Sequence, residues 1–241
     1  MFEQEKINLL TRENIVFMRI LWAIILTFFI NSCIISQIDT GKFVKYTPEF
    51  KFKEGIYLNI DEVKDNSPIP KSRIITTLDY NDNDFFDNVL ANSKVYYYDN
   101  LGNRDELLTN KIWGYSRNGF VYIKVEGQFY RITLIGAICH FVASHTTYAY
   151  NGNSPYYYNS YSDPFQMPGE PYPTTEMRQY LLDFLTGRIL EYNVSGIEAL
   201  LMQDPAMYDE YMALGKKKKQ QMKFVYIRKF NESHPLYFPK N

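Results

Sequence analysis

The sequence predicts an α+β fold, an antiparallel β-meander domain followed by C-terminal helices, on three observations. Strand-forming runs between Lys94 and Ala143 are separated by short turn signals at Asn118-Gly119 and Glu126-Gly127. Helix-capping signals follow the strand runs, at Ser195-Gly196-Ile197-Glu198 and at Asp204-Pro205. Between them, Thr146 to Pro173 follows neither the two-residue period of a strand nor the 3.6-residue period of a helix.

Taken in order, Gly55-Ile56-Tyr57-Leu58-Asn59-Ile60 alternates and reads as a strand. Asp61 to Asn66 then makes a helical turn that Pro68 and Pro70 stop. Arg73 to Leu78 is a weaker strand, and Phe85 to Leu90 supplies one or two helical turns. Val95-Tyr96-Tyr97-Tyr98 opens the meander, with turn chemistry at Asn100-Leu101-Gly102-Asn103. Lys111 to Tyr115 and Phe120 to Lys124 flank Asn118-Gly119, whose two residues tolerate the positive φ of a type I′ turn. Glu126-Gly127 reverses the chain again into Gln128 to Leu134, and Gly136 marks a bulge or bend before the next strand.

After the tyrosine-rich stretch, Tyr180 to Asp183 and Arg188 to Tyr192 form a hairpin around Thr186-Gly187. Ser195 and Glu198 are spaced as a capping box, and Asp204-Pro205 places an N-cap carboxylate before a proline at the first helical position. Gly215 ends or bends that helix. Lys216 to Lys219 start the last one, fanning over about 300° of its circumference, so they make a solvated first turn rather than a flat basic face. Met222, Phe224, Val225, Tyr226, Ile227 and Phe230 would occupy most of that helix's circumference, which predicts burial against the β-domain rather than an exposed amphipathic strip. His234 to Pro239 is an extended tail that packs.

At the other end of the chain, Ile20 to Ile30 is a short apolar run preceded by Met18-Arg19. About 11 residues rise only about 16 Å as a helix, half of what a bilayer core requires, so the run reads as the hydrophobic part of an export signal. Residues 1–36 form that leader. Glu3, Glu5 and Glu13 make the first 17 residues a poor positive region, and translation is expected to start at Met18, with those residues an extension from a misplaced start. Three fates compete. Cleavage after Ser36 would leave Gln37 first; Ile30-Asn31-Ser32-Cys33 resembles a lipobox and would lipidate Cys33; an uncleaved segment would anchor the chain.

Residues 37–241 are long enough to bury one core and read as a single α+β domain. Removing residues 1–36 leaves the net charge at −1, so no nucleic-acid partner is implied. Charge is uneven, with eight basic and four acidic residues from Asp204 to the end. Cys139 would be the lone cysteine beyond the leader, without an intrachain disulfide, and its apolar surroundings predict a small buried hydrophobe.

The stretch 146–173 holds seven tyrosines among Asn, Ser, Gly and Pro and reads as a mobile surface loop. Tyrosine offers large contact area at low entropic cost. Tyr148, Tyr150, Tyr156, Tyr157, Tyr158 and Tyr161 are therefore the candidate binding residues. Elsewhere chemistry is sparse: the three histidines His140, His145 and His234 have no acidic neighbour at metal-ligand spacing, and no HExxH, CxxC pair, phosphate loop or GxSxG elbow occurs. Neither a catalytic site nor a metal or cofactor is implied. Cys139 and His140, adjacent on a strand, point to opposite faces and cannot pair.

Ser36-Gln37, Gly55-Ile56-Tyr57-Leu58-Asn59 with Pro68, Ile112-Trp113-Gly114-Tyr115 with Val121-Tyr122-Ile123, and Asn231-Glu232-Ser233-His234-Pro235 together resemble a group of exported Bacteroidota proteins without assigned activity. The resemblance implies the periplasm or the outer membrane and brings no site residues. Three functions follow as expectations. The first is a non-catalytic accessory or binding module for another envelope protein, with membrane attachment through lipidated Cys33 or the uncleaved signal. The second is a glycan or small-molecule binder with an aromatic pocket beside residues 148 to 161. The third is a hydrolase with dispersed carboxylates facing across a cleft.

Overall fold

A computed structural model describes residues 41–149 and 172–240. Cys33, Ser36, Gln37, Tyr150, Tyr156, Tyr157, Tyr158 and Tyr161 lie outside the described residues. The elements run β1 (Phe43–Lys45), β2 (Gly55–Tyr57), α1 (Ile60–Lys64), β3 (Ile69–Pro70), β4 (Ile74–Ile75), α2 (Phe85–Leu90), β5 (Lys94–Tyr98) and β6 (Arg104–Leu108). They continue through β7 (Gly114–Arg117), β8 (Phe120–Val125), β9 (Gln128–Leu134), β10 (Ile138–Ala149), β11 (Tyr172–Asp183) and β12 (Ile189–Glu191). The chain closes with α3 (Val194–Leu201), α4 (Pro205–Met212), α5 (Lys216–Ser233) and β13 (Tyr237–Pro239). The fold is α+β, a strand-rich body with helices at the end.

The main sheet has eight described strands in the order β12-β11-β10-β9-β8-β7-β2-β3, all antiparallel. From β7 to β12 sequence neighbours lie side by side, which makes this part a meander, and β7–β8 and β8–β9 are joined by tight reversals. Asn118 (φ 54°) with Gly119 (φ 79°), and Glu126 (φ 48°) with Gly127 (φ 82°), supply the paired positive φ values that match strand twist.

Alternation along the strands gives the sheet two apolar faces. On one, Tyr57, Ile123, Ile132, Cys139, Phe141 and Leu182 pack with Phe52 and Phe238. Phe238 is fully buried, its ring centroid 4.9 Å from that of Phe50 and 5.0 Å from that of Phe52. Each such pair adds about 0.5–1.5 kcal/mol beyond area burial. The other face is covered twice. Phe85 and Phe86 of α2, with Val95 and Leu107, lie on Ile56 and Tyr115. Ile197, Leu200, Tyr211, Ile227 and Phe230 of the C-terminal helices lie on Ile138 and Leu181.

Gly136 bends the chain for a steric reason. A Cβ there would stand 2.3 Å from the Asn231 amide nitrogen. Asn231, on α5, accepts from Ile138 N (2.7 Å) and donates to Ile138 O (2.9 Å), pairing with the start of β10 as a neighbouring strand would. The register shift itself falls later, between His140 and Phe141.

Several expectations are corrected. The meander does not begin at Lys94: β5 and β6 form a separate three-stranded sheet with β4, and β7 pairs with β2 instead of β6. The strand expected over Arg73 to Leu78 is reduced to Ile74–Ile75, after a 3-10 turn at Lys71–Arg73. Ser195 does not cap α3; Asn193 does, accepting from Gly196 N at 2.8 Å, while Glu198 turns to Lys219 (2.8 Å). The last helix does bury against the β-domain, through Tyr226, Ile227 and Phe230, but two of its six apolar positions stay outside, Phe224 and Val225 being 38% and 48% exposed. The loop expected over 146–173 is strand at both flanks, through Ala149 and again from Tyr172. The tail does pack, and more specifically than expected: Tyr237–Pro239 pairs with Phe43–Lys45.

Candidate functional site

The candidate contact element is the hairpin of β10 and β11, and its geometry follows from where neighbouring strands stop. The two strands pair over twelve positions, from Ile138↔Asp183 to Ala149↔Tyr172. β9 meets β10 at His140 and Phe141, and β12 meets β11 from Tyr180 to Leu182. Beyond those registers the ladder continues as a two-stranded arm. Thr146, Thr147 and Tyr148 on one strand and Pro173 to Met177 on the other are exposed. Both faces of the ribbon therefore meet solvent. Tyr148, one of the six candidate tyrosines, sits on this arm and is 69% exposed.

A latch holds the arm where it leaves the sheet. Glu126, in the β8–β9 turn, places Oε1 2.5 Å from His145 Nδ1 and accepts from Thr146 N through Oε2 at 3.2 Å. These two bonds hold the Glu126 carboxyl below the usual glutamate range, the His145 contact first. Tyr130 and Ser144 are joined by their hydroxyls just inside the latch. Nothing in the spacing of Glu126 and His145 announced this pair; only the position of Glu126 in a predicted turn hinted that it lies near the next strand.

A tyrosine-lined concavity exists beside Tyr97 and Tyr98, whereas the pocket expected beside residues 148 to 161 falls almost wholly outside the described residues. A cleft of about 370 Å³ is lined by Tyr97, Tyr98, Glu62, Arg73, Asp99 and Asn100, among others. It holds two carboxyls whose pKa values are pushed apart, the pattern of an acid–base pair. Burial raises that of Glu62, and the Asn103 N–H foremost lowers that of Asp99. Both carboxyls, however, have structural partners. Glu62 accepts from Leu58 N (2.7 Å) while Asn59 accepts from Glu62 N (2.9 Å), a reciprocal cap on α1. Asp99 accepts from Leu101 N and Asn103 N at 2.8 Å each and from the Asn103 amide at 3.1 Å, which fixes the β5–β6 turn. Their geometry is that of a helix cap and a turn.

The remaining sequence candidates are separated. Cys139 is fully buried, donates to Gly136 O (3.2 Å), and has its thiol pushed up to about 12 by burial, so no thiolate forms near neutral pH. His140 faces the other side of the sheet, 5.2 Å from the Tyr192 ring and 5.8 Å from the Phe224 ring. His234 stacks on Phe230 at 4.1 Å. Among the described residues no group of three or more His, Cys, Asp or Glu could hold a metal ion, and no helix is long and apolar enough to cross a membrane.

No protein family matches the chain, and neither a curated protein nor a solved structure is detectably similar to it.

Proposed function

We propose that this chain is an exported protein of the periplasm or outer membrane that acts without catalysis, as a binding module that grips another envelope protein through the β10–β11 arm. One observation carries the reading: residues 146–148 and 173–177 keep a strand ladder while exposed on both faces. A two-stranded ribbon without a covered face is marginal in water, so an arm built of Thr and Tyr gains most when a partner covers it. The leader supports the location, and lipidation of Cys33 or retention of the signal would add a membrane tether. No nucleic acid takes part.

The test places a photo-crosslinking amino acid at Tyr148 and, as a control on the body, at Leu101, which is 85% exposed. The expected result is one discrete adduct with an envelope protein from Tyr148 and none from Leu101, abolished when residues 149–172 are replaced by a two-residue Asn-Gly turn. Equal adducts at both positions, or recovery of the unprocessed chain from the cytosol, would overturn the proposal. Fatty-acid labelling of wild type against Cys33→Ala decides the mode of attachment.

A further inference from the structure

Lys223 of α5 is only 8% exposed. Its ammonium donates to Tyr192 O at 3.1 Å and lies 4.0 Å from the centre of the Tyr192 ring. Its neighbours on the helix are ion-paired, Lys219 with Glu198 and Lys229 with Glu210, whereas Lys223 forms no ion pair among the described residues. An ammonium has three N–H donors, and taking a cation out of water without a counter-charge is unfavourable. Burial accordingly pushes its pKa below the ordinary lysine value.

Beside this cation is a pocket of about 480 Å³, lined with Lys223 by Met177, Arg178, Gln179, Glu191, Tyr192 and Asn193. Arg178 is already ion-paired, with Glu176 just outside the lining and with Glu191 at 3.7 Å, which leaves Lys223 as the lining cation without an acid of its own. Gln179 engages His140 Nε2 through Oε1 at 3.0 Å, which turns its amide nitrogen elsewhere. Asn193 caps α3, so the positive end of that helix borders the pocket. Met177, 67% exposed, and the Tyr192 ring add apolar wall.

We propose that this pocket binds a small organic monocarboxylate, its carboxylate seated on the Lys223 ammonium and its apolar body against Tyr192 and Met177. The one unpaired ammonium selects the monoanion: a phosphate dianion would bring a second negative charge towards Glu191. Met177 belongs to both the arm and this pocket, whereas the pocket's cation, Lys223, lies on α5 outside the arm.

Titration of the full chain with benzoate, benzamide and inorganic phosphate, followed by calorimetry and by the NMR signals of the Lys223 and Tyr192 side chains, tests it. Benzoate is expected to bind with a millimolar dissociation constant, and benzamide and phosphate at least about tenfold more weakly. Lys223→Met keeps the unbranched stem and removes the buried charge; it should melt no lower than wild type and lose benzoate binding by about tenfold or more. Equal benzoate affinity in wild type and Lys223→Met, or tighter binding of phosphate, would overturn the proposal. So would unchanged Lys223 and Tyr192 signals in the wild type with acetate, benzoate and indole-3-acetate at tens of millimolar, a readout that does not depend on the variant folding.

Discussion

At its inner end the β10–β11 hairpin buries Ile138, Cys139, Phe141, Leu181 and Leu182 between covered faces, while at its outer end Thr146 to Tyr148 and Thr174 to Met177 extend the same ladder into solvent. Backbone pairing is continuous across both halves, so it cannot be what separates them. Side-chain burial does. The inner half is committed to the core, and the outer half keeps its faces for something else. Local opening free energies follow this difference, high where apolar contacts are dense and low where backbone bonds meet water.

The sharpest way to break the contrast is to empty the inner half. Leu181→Ala removes a fully buried side chain that packs under the C-terminal helices. It should lower stability by about 2–5 kcal/mol, read as a fall in the urea midpoint. Asn231→Leu comes next, because it leaves the Ile138 N–H and C=O without their partner. A loss of about 1–3 kcal/mol is expected in the same assay. A loss below that of a surface substitution would show that water replaces the amide.

Glu126→Gln should act on the arm alone. Its effect is faster hydrogen exchange at amides 145–148 and 174–177 with an unchanged global midpoint. The pH dependence has a definite sign: a carboxyl whose folded pKa lies below its unfolded value stabilises the folded state above the ordinary glutamate range, and this is lost as pH falls through the lowered value. Arm exchange in the wild type should therefore rise to the variant's level in that acidic window and not above it. Least affected should be Tyr148→Ala, which is expected to leave stability within about 0.5 kcal/mol while abolishing the crosslinked adduct.

How much was legible in the sequence depended on how local the cause was. Asn118-Gly119, Glu126-Gly127 and Asp204-Pro205 act within a few residues, through positive φ or a cap, and each lies where its chemistry predicts. Ser195 and Asn193 show the limit, because both residue types fit an N-cap, and Glu198, the other half of the expected box, is engaged by Lys219 from a different helix. The separation of β5 and β6 from the meander was invisible for a different reason: strand propensity does not say which strand a run pairs with. The candidate site divided the same way. Tyr148 stood out by composition, whereas Glu126 meets His145 and Lys223 meets Tyr192 only through tertiary packing.

The ribbon of β1 and β13 sets Lys240 N 2.9 Å from Lys42 O and brings Phe238 to the centre of one face of the sheet. Phe238 follows every strand of the main sheet in the chain, so the face that those strands build is sealed only when the segment after α5 packs on it. Until that segment docks, the apolar surface around Phe50 and Phe52 lacks its closing ring.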